Sequence, residues 1–204
     1  MLSVPRFDAK IITLTIASTL LLMVDYYHTL TPFKALDRTI LYLAAPLLLI
    51  WLLFRQSPAE YGLRLGDWRA GLTFTLFAIA VMTPILWLIL RGNSAMRSYY
   101  APLSSSPIPL PLETFLQVFG WEFFFRGWLL FGYERKFGGE ALWLQAVPFA
   151  LAHLSKPEVE TFSTLFGGFA FGWLAWRTRS FLYPFLIHWY IFTLVALLAG
   201  GLFG

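Results

Sequence analysis

Glu122 and Arg126 stand four residues apart in the run GWEFFFRGWLL (120–130), a stretch apolar enough to lie in lipid. That spacing puts both side chains on one helix face, where they can pair. Ionisable groups at membrane depth are costly, so they mark candidate sites by default. Arg126 cannot shed its proton, so its role is to hold the Glu122 carboxylate ionised and oriented. A purely structural clamp between two helices is the other use of such a pair. His153 in FALAH (149–153) and His188 in LIHWY (186–190) add two intramembrane imidazoles. Neutral imidazole serves as general base, metal ligand or oxyanion donor near neutral pH. Glu160, in KPEVE (156–160), follows His153 closely in the chain. Pro157 and the two acidic residues suit a solvated helix start, whereas a tight inward turn would bring Glu160 into the same cavity. His28, beside Asp25, Tyr26 and Tyr27, reads as interfacial.

These groups also bound the cofactor chemistry. His153, His188 and Glu122 are the candidate ligands for a divalent metal such as zinc, although their spacing is not that of a zinc helix motif. Two histidines on different helices would equally suit haem, without the C-x-x-C-H of covalent attachment. The chain contains no cysteine, which excludes disulfides, thiolate metal sites and cysteine nucleophiles.

The elements that must position these residues are membrane helices. Of 204 residues, 58% are hydrophobic and 13% charged, and mean hydropathy is +0.67. A soluble domain carries about 25% charged residues, so this chain solves its surface problem with lipid. Seven apolar stretches are predicted as spans: 11–30, 39–54, 70–90, 113–133, 140–155, 159–176 and 180–202, the second, fifth and sixth being short. The first is a retained helix rather than a signal peptide, because no small-residue cleavage site follows it. Segments 56–67 and 93–111 read as loops from their Pro, Gly and Ser content, with Tyr99 and Tyr100 at the interface. Gly168 and Gly172 form a small-xxx-small pattern that admits a close helix neighbour.

The fold class is therefore all-α: a polytopic integral membrane bundle of about seven helices, one domain over 1–204, with the lipid bilayer as its first partner. The net charge of +4 is spread between apolar runs, which points to membrane orientation and to no nucleic acid. Alternating the spans puts Arg6, Lys10, Arg55, Arg64, Arg69, Arg135, Lys136, Arg177 and Arg179 on one side. Lys34, Arg38, Arg91, Arg97 and Lys156 fall on the other. Nine against five predicts a cytoplasmic N-terminus.

Taken in order, the polar residues resemble the CPBP family of intramembrane proteases, named for CAAX-protein and bacteriocin processing and also called ABI. That family shows E-E-x-x-x-R, F-x-x-x-H and H-x-x-x-N/D on separate helices. Here the counterparts are Trp121-Glu122-Phe-Phe-Phe-Arg126, Phe149-Ala-Leu-Ala-His153 and His188-Trp-Tyr-Ile-Phe192. The likeness covers a core at 113–195, and Tyr61-Gly-Leu-Arg-Leu-Gly66 resembles the family's loop before it. The resemblance implies an endopeptidase of a bacterial inner membrane, acting on a membrane-associated protein or peptide. Glu122 or Glu160 would activate water, His153 and His188 would polarise the carbonyl, and Arg126 would fix Glu122. Two positions depart from the pattern: Trp121 replaces the glutamate expected as base, and Phe192 replaces the polar residue expected near the reacting oxygen. Those departures leave open a catalytically inactive relative that binds partners or joins a membrane complex as a subunit, and, third, a bis-His haem or metal protein.

Overall fold

The computed structural model describes residues 7–105 and 108–201, and every regular element among them is helical. Seven main helices fall on the seven expected spans: α1 Ala9–Tyr27, α2 Lys34–Leu53, α3 Trp68–Gly92, α5 (110–137), α6 Ala141–Leu151, α7 Glu158–Thr178 and α8 Leu182–Ala199. A short helix, α4 Ser94–Tyr100, lies inside the stretch 93–111 that composition assigns to loop. Asn93 starts it, its side chain accepting from the Met96 amide at 3.0 Å, an N-cap that the prolines downstream obscure.

Length and hydropathy let α1, α2, α3 and α8 cross a bilayer. Helix α6 has only 11 residues, about 16 Å at the helical rise, roughly half a hydrocarbon core. It does not cross alone; it is inserted against α5 and α7. Gly168 and Gly172 of α7 make that contact possible. A Cβ at Gly168 would meet the Phe149 ring at 3.0 Å and Ala146 at 3.2 Å, and one at Gly172 would meet Gln145. Gln145 in turn donates to the Gly168 carbonyl at 2.8 Å. The small residues thus bring two backbones together where a polar side chain can bridge them.

Lipid-facing and buried residues divide as a membrane bundle requires. Ile12, Ile16, Leu20 and Met23 of α1 are exposed, while Leu14 and Ser18 turn inward, Ser18 accepting from Trp128 Nε1 at 2.8 Å. The core is aromatic. Phe123, Phe124, Phe125, Trp128 and Phe181 are fully enclosed.

The basic residues separate onto two ends of the bundle. At one end Arg177 pairs with Asp67 (3.0 Å), Arg179 with Glu134 (2.5 Å), Arg135 with Glu60, and Lys10 bonds Gln56 (2.7 Å). At the other, Lys34 pairs with Asp25 (2.6 Å), Arg38 bonds Gln117 (3.0 Å) and Lys156 pairs with Glu160 (2.6 Å). Among the described residues no pair joins the two sets; Arg6 lies outside them. The chain is an integral membrane protein of all-α class.

Candidate active site

Glu122 closes the first, α-helical part of α5 (Leu110–Glu122), and the chain then widens into a π-turn, Phe123–Leu129, before resuming as Leu130–Phe137. Such turns sit at functional positions more often than chance. The widening is tied to packing. Three consecutive phenylalanines must all be buried, and Gly127 lets Tyr61 approach, since a Cβ there would stand 2.8 Å from the Tyr61 carbonyl oxygen.

Both members of the expected pair are fully buried, and Arg126 Nη1 donates to Glu122 Oε1 at 3.1 Å. The guanidinium also lies over the Phe149 ring, 3.9 Å from its centroid, with Phe171 at 5.3 Å. Face-on aromatic contact replaces part of its lost hydration. The same carboxylate oxygen meets His188 Nδ1 of α8 at 2.6 Å. One glutamate therefore joins α5 to α8 and fixes the imidazole.

His153 stands just past the end of α6, and its Nδ1 bonds the Phe149 carbonyl at 2.7 Å. A carbonyl only accepts, so Nδ1 carries the proton. Neutral His153 then presents Nε2 as an acceptor. A carboxylate accepts, so His188 Nδ1 carries a proton toward Glu122, and the tautomer with that proton alone leaves Nε2 as an acceptor.

The two histidines line one small cavity of about 50 Å³, together with Arg38, Tyr99, Trp121, Ser155, Lys156 and Phe192. That is room for about one or two waters. It lies far below the roughly 300–1,000 Å³ of a cofactor pocket, so the site does not fit haem. Nor does it fit zinc: among the described residues no three His, Asp or Glu side chains converge as a ligand set, and Glu122 is already held by Arg126. No step is assigned to either group.

Glu160 sits beside this cavity rather than in its wall. Tyr100 donates to its carboxylate at 2.6 and 2.7 Å, and Lys156 at 2.6 Å. Burial and the neighbouring carboxylate push the Tyr100 phenol far above its ordinary range, so it remains a donor. Tyr100 is thus buried, whereas Tyr99 is exposed as an interfacial residue should be. His28 is exposed at the end of α1, as its neighbours suggest.

Arg38 and Lys156 enter the site without having been singled out from sequence, where both count only as loop charges. The signal available was position. Each lies within a turn of a helix end, from which a long side chain reaches inward.

An all-helical membrane protein with a buried carboxylate that joins a guanidinium to an imidazole, beside a polar cavity with a second imidazole, defines the class: a polytopic protein built around an intramembrane polar site. Residues 103–194 match the family model described as type II CAAX prenyl endopeptidase Rce1-like, so over that segment the chain is similar to the CAAX-protease family. That segment carries all three motifs. No curated protein and no solved structure matches the chain.

Proposed function

We propose that the protein is an intramembrane endopeptidase that hydrolyses a peptide bond of a membrane-associated protein or peptide, with its single domain built around the 113–195 core. The observation that carries this reading is the 2.6 Å contact between His188 Nδ1 and Glu122, at a water-sized cavity also lined by His153. A carboxylate on Nδ1 fixes the tautomer that leaves Nε2 free, the arrangement of a general base.

In this mechanism a water in the cavity bonds to the Nε2 atoms of both histidines. His188 takes its proton as the water oxygen attacks the carbonyl carbon. The C–N bond then breaks, and protonated His188 returns that proton to the leaving amine. The imidazolium formed on His188 faces the Glu122 carboxylate, which Arg126 holds in place. The base role thus moves from Glu122 or Glu160 to His188. Glu122 becomes a positioning residue, and Glu160 anchors Lys156 at the cavity rim.

The N-terminus faces the cytoplasm of a bacterial inner membrane in this reading, supported by the nine-to-five division of basic loop residues in the sequence. Arg38 and Lys156 belong to the smaller set, so the cavity opens away from the cytoplasm.

The test compares membrane-proteome termini from cells expressing wild-type protein with those from cells expressing His188→Ala. New termini present with the wild type should fall by roughly 10²–10⁴-fold in cleavage rate. Identical termini in both would refute hydrolysis. They would favour a second reading, a non-catalytic family member acting as a binding or assembly subunit, which the tryptophan at position 121 also favours.

A further inference from the structure

The cavity wall holds two hydrogen-bond donors with nothing to bind. Trp121 is 5% exposed, and its indole Nε1 is buried without a partner among the described residues. The Arg38 Nε is buried and unpartnered as well. A buried donor left without an acceptor is destabilising, so each of these groups gains from an acceptor that arrives. The two belong to one stacked unit: the Arg38 guanidinium lies 4.9 Å from the Trp121 ring centroid. The unit is fixed from both sides. Arg38 Nη1 donates to Gln117 (3.0 Å), which donates to Glu113 (3.2 Å), while Trp121 meets Tyr42 edge-on at 5.2 Å and His153 at 5.7 Å.

The hydroxyl donors of this wall, on Tyr99 and Ser155, belong to exposed residues that water reaches. Phe192 offers none. Both histidines already commit Nδ1, to Phe149 and Glu122, and Lys156 is engaged by Glu160 and Tyr100. Hydrolysis through a tetrahedral intermediate nevertheless requires N–H groups where the carbonyl oxygen becomes negative. We infer that Trp121 Nε1–H and Arg38 Nε–H form the oxyanion site of this cavity. This rests on the proposed hydrolysis. It turns the departure at position 121 into a gain: a glutamate there would be a base, whereas indole supplies a fixed donor beside a cation. Arg38 contributes full positive charge and Trp121 direction, so the pair favours an oxyanion over the neutral carbonyl from which it forms.

Two measurements test the inference. In ¹⁵N-tryptophan-labelled protein in micelles, the resonance absent from Trp121→Phe identifies the Trp121 indole. Formate, a minimal oxyanion, should shift its proton downfield and saturably, and Arg38→Gln should abolish the shift. A resonance that formate leaves unmoved, or that moves equally in Arg38→Gln, overturns the pairing. On termini identified through His188→Ala, Trp121→Phe should lower kcat by about 10²–10³-fold with little change in KM. Wild-type cleavage by Trp121→Phe would overturn the inference and leave the protease reading intact. Formate binding without any cleavage would support the donor pair while the protease reading fails. If Trp121→Phe does not fold, the formate titration of wild type against Arg38→Gln decides alone, every indole resonance being followed.

Discussion

Replacing Arg126 by methionine probes the centre of the site. The substitution keeps length and apolar packing but removes the guanidinium. Glu122 and Arg126 are both fully buried, so neither charge has water to fall back on. Breaking a buried pair by deleting one member costs about 3–5 kcal/mol, because the other charge is stranded. His188 Nδ1 stays within 2.6 Å of the carboxylate and holds the loss towards the lower end of that range. The guanidinium's contact over Phe149, at 3.9 Å, is lost too, adding up to about 2 kcal/mol where desolvated. A net loss near 4 kcal/mol corresponds to a fall in Tm of about 8–16 °C for a chain of this size. Detergent-solubilised protein followed by thermal denaturation reads this directly. Arg126→Met combined with Glu122→Gln should melt above Arg126→Met alone, since the stranded charge is gone. Arg126→Met melting with wild type, or a double variant that simply adds the two losses, would refute the pairing on which the site is built.

Other expectations follow from the same geometry. Glu160→Gln removes the charge that holds Lys156 and Tyr100 but no wall of the cavity; cleavage should fall by less than about tenfold, well short of the 10²–10⁴-fold of a lost general base, and a larger fall with unchanged Tm would return the base role to Glu160. Gly167 and Gly168 form a matched pair, since a Cβ at Gly167 meets nothing within 4 Å whereas one at Gly168 meets Phe149 at 3.0 Å. Gly167→Ala should gain up to about 1 kcal/mol from helix propensity and Gly168→Ala should lose about 1–3 kcal/mol to overpacking, both read by Tm. Asp67 caps α3 by accepting from the Ala70 amide at 3.1 Å and pairs with Arg177 at 3.0 Å, and these contacts hold its carboxyl below the usual aspartate value of 3.8. A depressed folded-state value means stability that is present above 3.8 and lost as pH falls through the folded value. Wild type should therefore melt above Asp67→Asn at pH 7 and converge with it in acid; a gap independent of pH would show that the charge contributes nothing.

The helices were legible because each is a long apolar run, and lipid leaves a chain few alternatives to helix at such lengths. What lay beyond sequence was their interior geometry. Helix α6 reads as a short span by composition, but its seating against α7 depends on Gly168 and Gly172 meeting Ala146 and Gln145, a contact between two elements. The π-turn at Phe123–Leu129 has no local signature either. It follows from enclosing three successive phenylalanines while Tyr61 packs against Gly127, a demand the rest of the bundle makes. The short helix α4 was readable in principle from Asn93, and the prolines after it masked the signal.

The site divides in the same way. Glu122 with Arg126 follows from i, i+4 spacing, because that contact lies within one helix. The bond from Glu122 to His188 spans 66 residues and depends on how α5 and α8 cross, which no spacing rule contains. Arg38 shows the limit most clearly. As a basic residue before an apolar run it has the ordinary meaning of a membrane-edge charge, and its guanidinium does belong to that end of the bundle. Its second role arises only because Gly120 lets α2 come close: a Cβ there would stand 2.9 Å from the Arg38 carbonyl oxygen. That approach lays the guanidinium on Trp121, one residue before the buried glutamate. A glycine, a tryptophan and a distant arginine thus acquire meaning together, and Trp121 changes from the residue that removes a base into the one that offers a donor.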